Sequence, residues 1–199
     1  KITGGGNLIL GSDNWNNAAV DAGGNATSKT GGYTINGETV RVVNNAQNTR
    51  FRFAADTSMA IVKGVTYCAS ILYKLNSGTN KLFLQFETLS SDRIDTNYAS
   101  AFKDAQQDIE MENGWKMRYA IFTATADAYA YQLYVSTTDD FSTVTCDITL
   151  MHPMVQMGNA PTAWNASSGD YLTEENAKSL ISQSADEIKT EVTKSVTET

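Results

Sequence analysis

A chain of 199 residues is long enough for one sandwich-sized domain with an appendage, and charged residues make up only 19% of it. The formal net charge is -7, and the clustered Lys and Arg that neutralise phosphates are missing, which argues against a nucleic-acid partner. No stretch approaches the roughly 20 apolar residues of a membrane span, so we expect no membrane association. The composition therefore indicates a neutral or polar partner.

Short apolar runs with a period of two follow one another from residue 7 to about residue 158. They are rich in β-branched and aromatic residues and are separated by turn signals such as Asn36-Gly37. The predicted strands are residues 39–43, 50–53, 66–74, 81–87, 115–123, 129–136 and 146–152. Seven or eight strands of this kind predict an all-β, antiparallel two-sheet sandwich over residues 1–170. Residues 97–112 lack clean alternation and are predicted to be a long loop or one helical turn.

Both cysteines, Cys68 and Cys146, lie within apolar strands, and neither belongs to a CxxC pair. We expect two buried free thiols rather than a disulfide, in a chain that folds in a reducing compartment. The sequence starts at Lys1 rather than at a methionine, so we also expect it to be cut from a longer protein.

The hydrophobic period changes after Asp170, and residues 171–199 are predicted to form one amphipathic helix that Thr173 can cap. The helix carries a narrow apolar stripe formed by Ala177, Leu180, Ile181, Ala185, Ile188, Val192 and Val196. A helix this polar needs a surface on which to bury its stripe. It either folds back on its own domain or self-associates at the start of a parallel coiled coil, for example as a trimer.

Reactive side chains are few. His152 is the only histidine, no HxxxH pair can hold zinc, and no GxSxG motif offers a nucleophile. A glycosidase needs two carboxylates about 5–10 Å apart. Glu87 could face Asp147 or Glu110, but nothing singles out such a pair among the 22 acids. We therefore predict a non-catalytic protein and keep a glycoside hydrolase as an alternative.

Alternation along three predicted strands sorts their side chains into two sets. The set predicted to face the core is Leu82, Leu84, Phe86, Trp115, Met117, Tyr119, Ile121, Tyr131, Leu133 and Val135. If the three strands share a sheet, the other set forms one exposed face with rings, amides and paired charges: Phe83, Gln85, Glu87, Arg118, Gln132 and Tyr134. Rings pack on the C–H side of a sugar while polar groups bind its hydroxyls, so this face is the predicted sugar-binding site. The alternative is an ordinary solvated face.

Two tryptophans lie outside these strands. Trp15, in a polar loop, is a further candidate for sugar contact at the rim, or else it covers one end of the sandwich. Trp164 is predicted to pack against the base of the sandwich.

Several short motifs resemble a known family. The segments NLILGS (7–12), GVTYCAS (64–70), PMVQMG (153–158) and NAPTAW (159–164) resemble the jelly-roll carbohydrate-binding modules in tail proteins of phages and prophages of Gram-positive bacteria. Residues 181–192 are similar to the helical linker that follows such modules in tail-tip and fibre proteins. Gln156 stands where this family commonly has a glutamate.

The resemblance implies a jelly-roll domain of a phage tail or fibre protein, located in the virion, that binds a polysaccharide of the host cell surface or cell wall. It also implies a structural calcium near the first and last strands, for which Asn7, Asp13 and Asp147 offer oxygen ligands. The alternative from another class is a purely structural tail domain that positions its neighbours and oligomerises through the helix.

Overall fold

Strands and short turns make up the part of the chain that the computed structural model describes, namely residues 6–21, 32–45, 49–54, 60–89, 96–97, 106–128, 130–137 and 144–167. Only the backbone is described for residues 21, 45, 87–89, 96–97 and 130–132. The chain divides into units 1–167 and 168–199, and every described residue belongs to the first. The predicted helix over 171–199, its self-association and the boundary at residue 170 lie outside the described residues and stay predictions. No helix of the described part has the length and hydropathy needed to cross a bilayer.

Two antiparallel sheets account for the strands of these residues. The five-stranded sheet has the spatial order β1 (Ala19–Asp21), β4 (Arg50–Ala54), β10 (Ala130–Ser136), β6 (Phe83–Leu89) and β7 (Thr96–Asn97). The six-stranded sheet has the order β2 (Gly32–Asn36), β3 (Thr39–Asn45), β11 (Thr145–Met157), β5 (Thr66–Gly78), β9 (Lys116–Thr123) and β8 (Gln107–Glu110). The chain changes sheet between β1 and β2, β3 and β4, β4 and β5, β5 and β6, β7 and β8, β9 and β10, and β10 and β11. This alternation is the topology of a jelly roll, so the prediction of an all-β sandwich is confirmed.

The seven predicted strands correspond to β3, β4, β5, β6, β9, β10 and β11. The prediction for residues 97–112 was wrong in part, because Gln107–Glu110 form the edge strand β8 and a short 3₁₀ turn follows at Glu112–Gly114. All four residues of β8 are exposed. A strand with no buried face has no reason to alternate polar and apolar residues, so the pattern gave no signal there.

The core lies between the sheets and is filled by the inward side chains of both. Phe122 of β9 stacks on Tyr67 of β5 and meets Phe86 of β6 across the sheets, with ring centroids 5.5 and 5.0 Å apart. Cys68 and Cys146 are buried and unbridged, as predicted. Burial raises the pKa of the Cys68 thiol to about 12, so this group is an apolar filler rather than a nucleophile.

Trp15 belongs to this core. It is 0% exposed, and its ring meets the edges of Phe51 and Phe53 with centroids 5.1 and 5.2 Å apart. The indole N–H donates to the carbonyl oxygen of Glu38 at 2.9 Å, which satisfies the one polar atom of the ring and permits its burial. The prediction of Trp15 as a sugar contact was therefore wrong, and its alternative role of covering the interior is the one observed.

The segment after β11 folds back over the outer side of the six-stranded sheet. Gln156 donates to the carbonyl of Ala160 at 2.9 Å and accepts from the hydroxyl of Thr162 at 2.7 Å. Trp164 then donates to Ser12 Oγ at 3.1 Å. The amide of Gln156 thus ties down the segment at the position where the resembling family commonly has a glutamate.

Candidate functional site

The outer side of the five-stranded sheet gathers polar and aromatic side chains from β4, β10 and β6. Strand register places Tyr134 between Arg52 and Gln85, and Ser136 between Arg50 and Phe83. Alternation in each strand directs these six residues away from the core, because their neighbours Phe51, Phe53, Leu84, Leu133 and Val135 are fully buried inside it. We call the six residues, Arg50, Arg52, Phe83, Gln85, Tyr134 and Ser136, the arginine–tyrosine face.

Direct contacts organise this face. The guanidinium carbon of Arg50 lies 4.3 Å from the centroid of the Tyr134 ring, within the range of a cation–π interaction. Nη2 of the same guanidinium donates to Oε1 of Gln85 at 3.2 Å, across the intervening strand β10. Three strands are therefore linked through one arginine, which fixes both the ring and the amide before any ligand arrives.

The face is less open than the sequence predicted. Arg50, Tyr134 and Phe83 are only 7%, 6% and 7% exposed, whereas Gln85 and Arg52 remain partly exposed. The prediction of an exposed face was therefore wrong for Tyr134 and Phe83. A ligand would meet Gln85 and Arg52 first and the edges of the buried rings second.

Three of the predicted binding residues, Phe83, Gln85 and Tyr134, do come together. The backbones of Glu87 and Gln132 pair directly with each other, one step along from Gln85 and Tyr134. Their side chains lie outside the described residues, so their part in a site stays a prediction. Arg50 and Arg52 were missed as site residues, although the run RFRF over 50–53 contained the signal. Two phenylalanines that face the core force both arginines to the outer side.

Arg118, in contrast, belongs to the other sheet. Ala120 and Phe122 of β9 are buried in the core, so Arg118 lies on the inner side of the six-stranded sheet and Met117, Tyr119 and Ile121 lie on its outer side. The predicted orientation of β9 was therefore reversed. Both sets of β9 contain large apolar residues, and period-two alternation alone cannot tell which set is buried.

The guanidinium of Arg118 serves a structural network. It donates to both carboxylate oxygens of Asp108 at 2.9 and 2.7 Å and also to the carbonyl oxygen of Leu82. Tyr73 donates its hydroxyl to the same carboxylate at 2.9 Å. Burial by itself would raise the pKa of Asp108, but the hydrogen bonds and charge of Arg118, with the Tyr73 hydroxyl, outweigh it and lower this pKa. The network ties β8 and β9 to the other sheet.

The predicted calcium ligands do not share a site. Asn7 Oδ1 accepts from the backbone N–H groups of Ile9 and Val155 at 3.1 and 3.2 Å. Asp147 is paired with Arg41 at 2.9 and 2.5 Å. Asp147 and Val155 are eight residues apart on one strand, about 25 Å. This prediction was wrong, and the described residues contain no group of three or more His, Cys, Asp or Glu that could hold a metal ion.

A pair of catalytic carboxylates around Glu87 finds no support either. Its two candidate partners are in the six-stranded sheet, whereas Glu87 is in the five-stranded one. Each partner is also bound to a cation, because Asp147 pairs with Arg41 and Glu110 lies 2.6 Å from Lys116 Nζ. These carboxylates therefore act in ion pairs rather than as an acid and its base.

The sequence matches no protein-family model and no curated protein. In structure, the chain is similar to the enzymatically active domain of tailspike protein 4 of bacteriophage CBA120, at 12% identity and a TM-score of 0.48, over 76% of this chain but only 21% of that chain. It is also similar to a xylan-binding domain from CBM 22, at 15% identity and a TM-score of 0.45, over 81% of this chain and 100% of that chain. The CBM22-1 xylan-binding domain of Paenibacillus barcinonensis Xyn10C gives 14% identity and a TM-score of 0.42, over 77% and 94% of the two chains. These values are too low to assign the chain to a family.

Proposed function

We propose that this domain is a non-catalytic carbohydrate-binding module whose ligand lies against the arginine–tyrosine face. The observation that carries the proposal is the contact of Arg50 with both the Tyr134 ring and the Gln85 amide, on the outer side of a sheet. A sugar ring has an apolar C–H side and a rim of hydroxyls. The edge of the fixed Tyr134 ring can meet the apolar side, and the partly exposed Gln85 and Arg52 can meet the hydroxyls.

The contacts that Arg50 makes before a ligand binds should increase affinity. Because Arg50 holds Tyr134 and Gln85 in place, a ligand would not have to immobilise them, and the entropic cost of binding is correspondingly lower. Arg52, on the same side of β4 and partly exposed, adds a second set of planar donors for hydroxyls. The ligand class is therefore a hydroxyl-rich polysaccharide.

The biological setting is proposed from the sequence motifs alone. Residues 153–164 and the opening strand resemble modules of phage tail proteins, so the glycan would belong to the surface or wall of a host bacterium and the protein to the virion tail. The helix predicted over 171–199 would join such modules or bring copies together.

A purely structural tail domain is the second candidate. The burial of Arg50 and Tyr134 favours it, because a buried cation over a ring can simply brace three strands.

A glycan array followed by calorimetry with bacterial cell-wall polysaccharide separates the candidates. Binding by the wild type should fall about tenfold or more in Arg52→Ala and Gln85→Ala, a loss equivalent to one or two good polar contacts. Arg41→Ala is the matched control, because Arg41 is an exposed arginine on the outer side of the other sheet. Failure of the wild type to bind any surface glycan would favour the structural candidate, and release of reducing sugar would indicate the hydrolase.

A further inference from the structure

A second concave surface lies on the outer side of the opposite, six-stranded sheet. One half is a cavity of about 300 Å³ that Leu72, Met111, Met117, His152 and Trp164 line. The other half is wider, about 670 Å³, and Leu72, Met111, Trp115, Glu110 and Glu112 line it. Leu72 and Met111 border both halves, so the two form one continuous groove, which we call the tryptophan groove. Volumes of this size are those of ligand pockets.

The groove takes both tryptophans that are not in the core. The chain has three, and Trp15 is fully buried. Trp115 and Trp164 are partly exposed, and each lines one half of the groove. An exposed indole in a concave, apolar setting is the platform on which a sugar ring stacks, and two of them along one groove can receive successive rings of a chain.

Side-chain contacts hold the Trp164 indole in position. Trp164 stacks on His152 with ring centroids 4.5 Å apart and planes 14° from parallel, and its N–H donates to Ser12 Oγ at 3.1 Å. His152 reaches this position because a bulge interrupts the pairing of β11 with β5 between Met151 and Met154, with His152 at φ +56°. A non-glycine residue in this conformation is a strained feature of the kind found at functional sites.

At the other end of the groove, backbone hydrogen bonds fix the turn that carries Trp115. Met111 N–H donates to the carbonyl of Trp115 at 2.9 Å, and Trp115 N–H donates to the carbonyl of Glu112 at 3.2 Å. The 3₁₀ turn between them begins at Glu112, whose exposed side chain lines this half of the groove together with Trp115. Carboxylates accept from sugar hydroxyls. Among the described residues that line the groove there is no Lys or Arg, and the nearby Lys116 is already paired with Glu110, so the carboxylate of Glu112 disfavours an acidic glycan.

We propose that the tryptophan groove is a second carbohydrate site, which binds an uncharged sugar chain between Trp115 and Trp164. The inference rests on the proposed function for its ligand class but uses none of the residues of the arginine–tyrosine face. The two sites lie on the outer sides of opposite sheets. One domain therefore binds two separate polysaccharide chains, and not two parts of the same chain. Such a domain crosslinks the polysaccharide and gains avidity on a dense surface.

Calorimetry with xylohexaose and cellohexaose tests this proposal, with circular dichroism to confirm that each variant is folded. The wild type should bind two oligosaccharides per chain. Trp115→Ala should lose one of them, weakened about tenfold or more, and Trp115→Phe should retain much of the binding because a ring remains. Val43→Ala is the control and should bind as the wild type does, because Val43 is an exposed apolar residue on the same sheet, outside the groove.

The possible results separate the two sites. Binding of one oligosaccharide that depends on Gln85 and ignores Trp115 overturns the second site and leaves the proposed function standing. Binding that depends on Trp115 and ignores Gln85 and Arg52 supports the groove and overturns the arginine–tyrosine face. If only a basic amphipathic peptide such as melittin binds in a Trp115-dependent manner, the groove is a protein-docking surface and the proposal falls. If neither the oligosaccharides nor the peptide bind, the second site is overturned, and the arginine–tyrosine face is decided separately by the titration with cell-wall polysaccharide.

Discussion

The guanidinium of Arg50 lies 4.3 Å above the ring of Tyr134, on neighbouring strands of the five-stranded sheet. Because this pair is largely buried, we expect it to contribute to stability as well as to the site. Tyr134→Leu should lower the free energy of unfolding by about 1–2 kcal/mol more than Tyr134→Phe does, since phenylalanine keeps the ring that faces the cation. Urea unfolding measures both. Equal losses for the two variants would mean that the ring–cation contact stabilises nothing.

Trp15 should be a stability residue and not a ligand contact. Removal of a fully buried indole leaves a cavity between Phe51 and Phe53, so Trp15→Ala should lower the free energy of unfolding by about 3–5 kcal/mol. The partly exposed Trp115 provides the control, and Trp115→Ala should cost much less. Thermal unfolding of both variants checks the prediction. Comparable losses would contradict the placement of Trp15 in the core.

The ion pair of Asp108 with Arg118 should make stability depend on acid pH. The pKa of Asp108 is lowered in the folded state, so folded protein binds this proton less readily than unfolded protein does. The pair therefore contributes fully above the ordinary pKa of 3.8 and loses its contribution as pH falls through the lowered value. Asp108→Asn should cost about 1–2 kcal/mol at pH 7, a figure reduced for partial exposure.

Urea unfolding of wild type and Asp108→Asn across the pH range from 7 to about 2 should show this difference shrinking at the acid end. Glu112→Gln, at an exposed position on the turn after β8, should change little at any pH. A difference for Asp108→Asn that is the same at both ends of the range would rule out the ionised pair as its source.

Gly78 ends β5 at φ +85°, where it pairs with Cys146 of β11. A Cβ at this position would lie 2.3 Å from the carbonyl oxygen of Thr145, a backbone atom that cannot move without disturbing β11. Gly78→Ala should therefore cost about 3 kcal/mol or more. Gly37→Ala is a matched control, because Gly37 also has positive φ but no atom within 4 Å of an added Cβ. It should cost only the conformational penalty of about 1–2 kcal/mol.

Cys68 should be chemically silent in the folded protein. Its thiol is 0% exposed and burial raises its pKa to about 12, so almost no thiolate is present at pH 8. An aromatic disulfide reagent should label neither Cys68 nor the buried Cys146 in buffer, and should label both in concentrated guanidinium chloride. Rapid labelling of Cys68 under native conditions would show that the closing segment does not cover the sheet as described.

The sequence was sufficient for the strands that have one buried face and one outer face. In β6 and β10, alternation assigned Leu84 and Leu133 to the core, and register then brought Gln85 and Tyr134 together. Burial decides the pattern in such strands, so the pattern reveals the burial. The edge strands β2 and β8 were not predicted, because mostly exposed residues carry no such pattern.

Two features could not be found from local patterns. The orientation of β9 depends on which of its two sets of side chains meets Phe86 across the sandwich, and that choice is made by tertiary packing. The tryptophan groove depends on Trp115 and Trp164, which are 49 positions apart in the chain. They line one groove only because the segment after β11 folds back over the six-stranded sheet. No spacing rule links such residues.

The backbones of Asn7 and Ser167 pair in parallel, and the N–H of Asn7 also donates to Asn165 at 2.9 Å. The chain therefore enters and leaves the sandwich at neighbouring positions. A pulling force applied between these two residues would act on this pairing and on the hydrogen bond to Asn165, and not on the interior strands. In a protein that contains several such domains in a row, a pulling force would pass from residue 7 to residue 167 of each domain without stretching its two sheets.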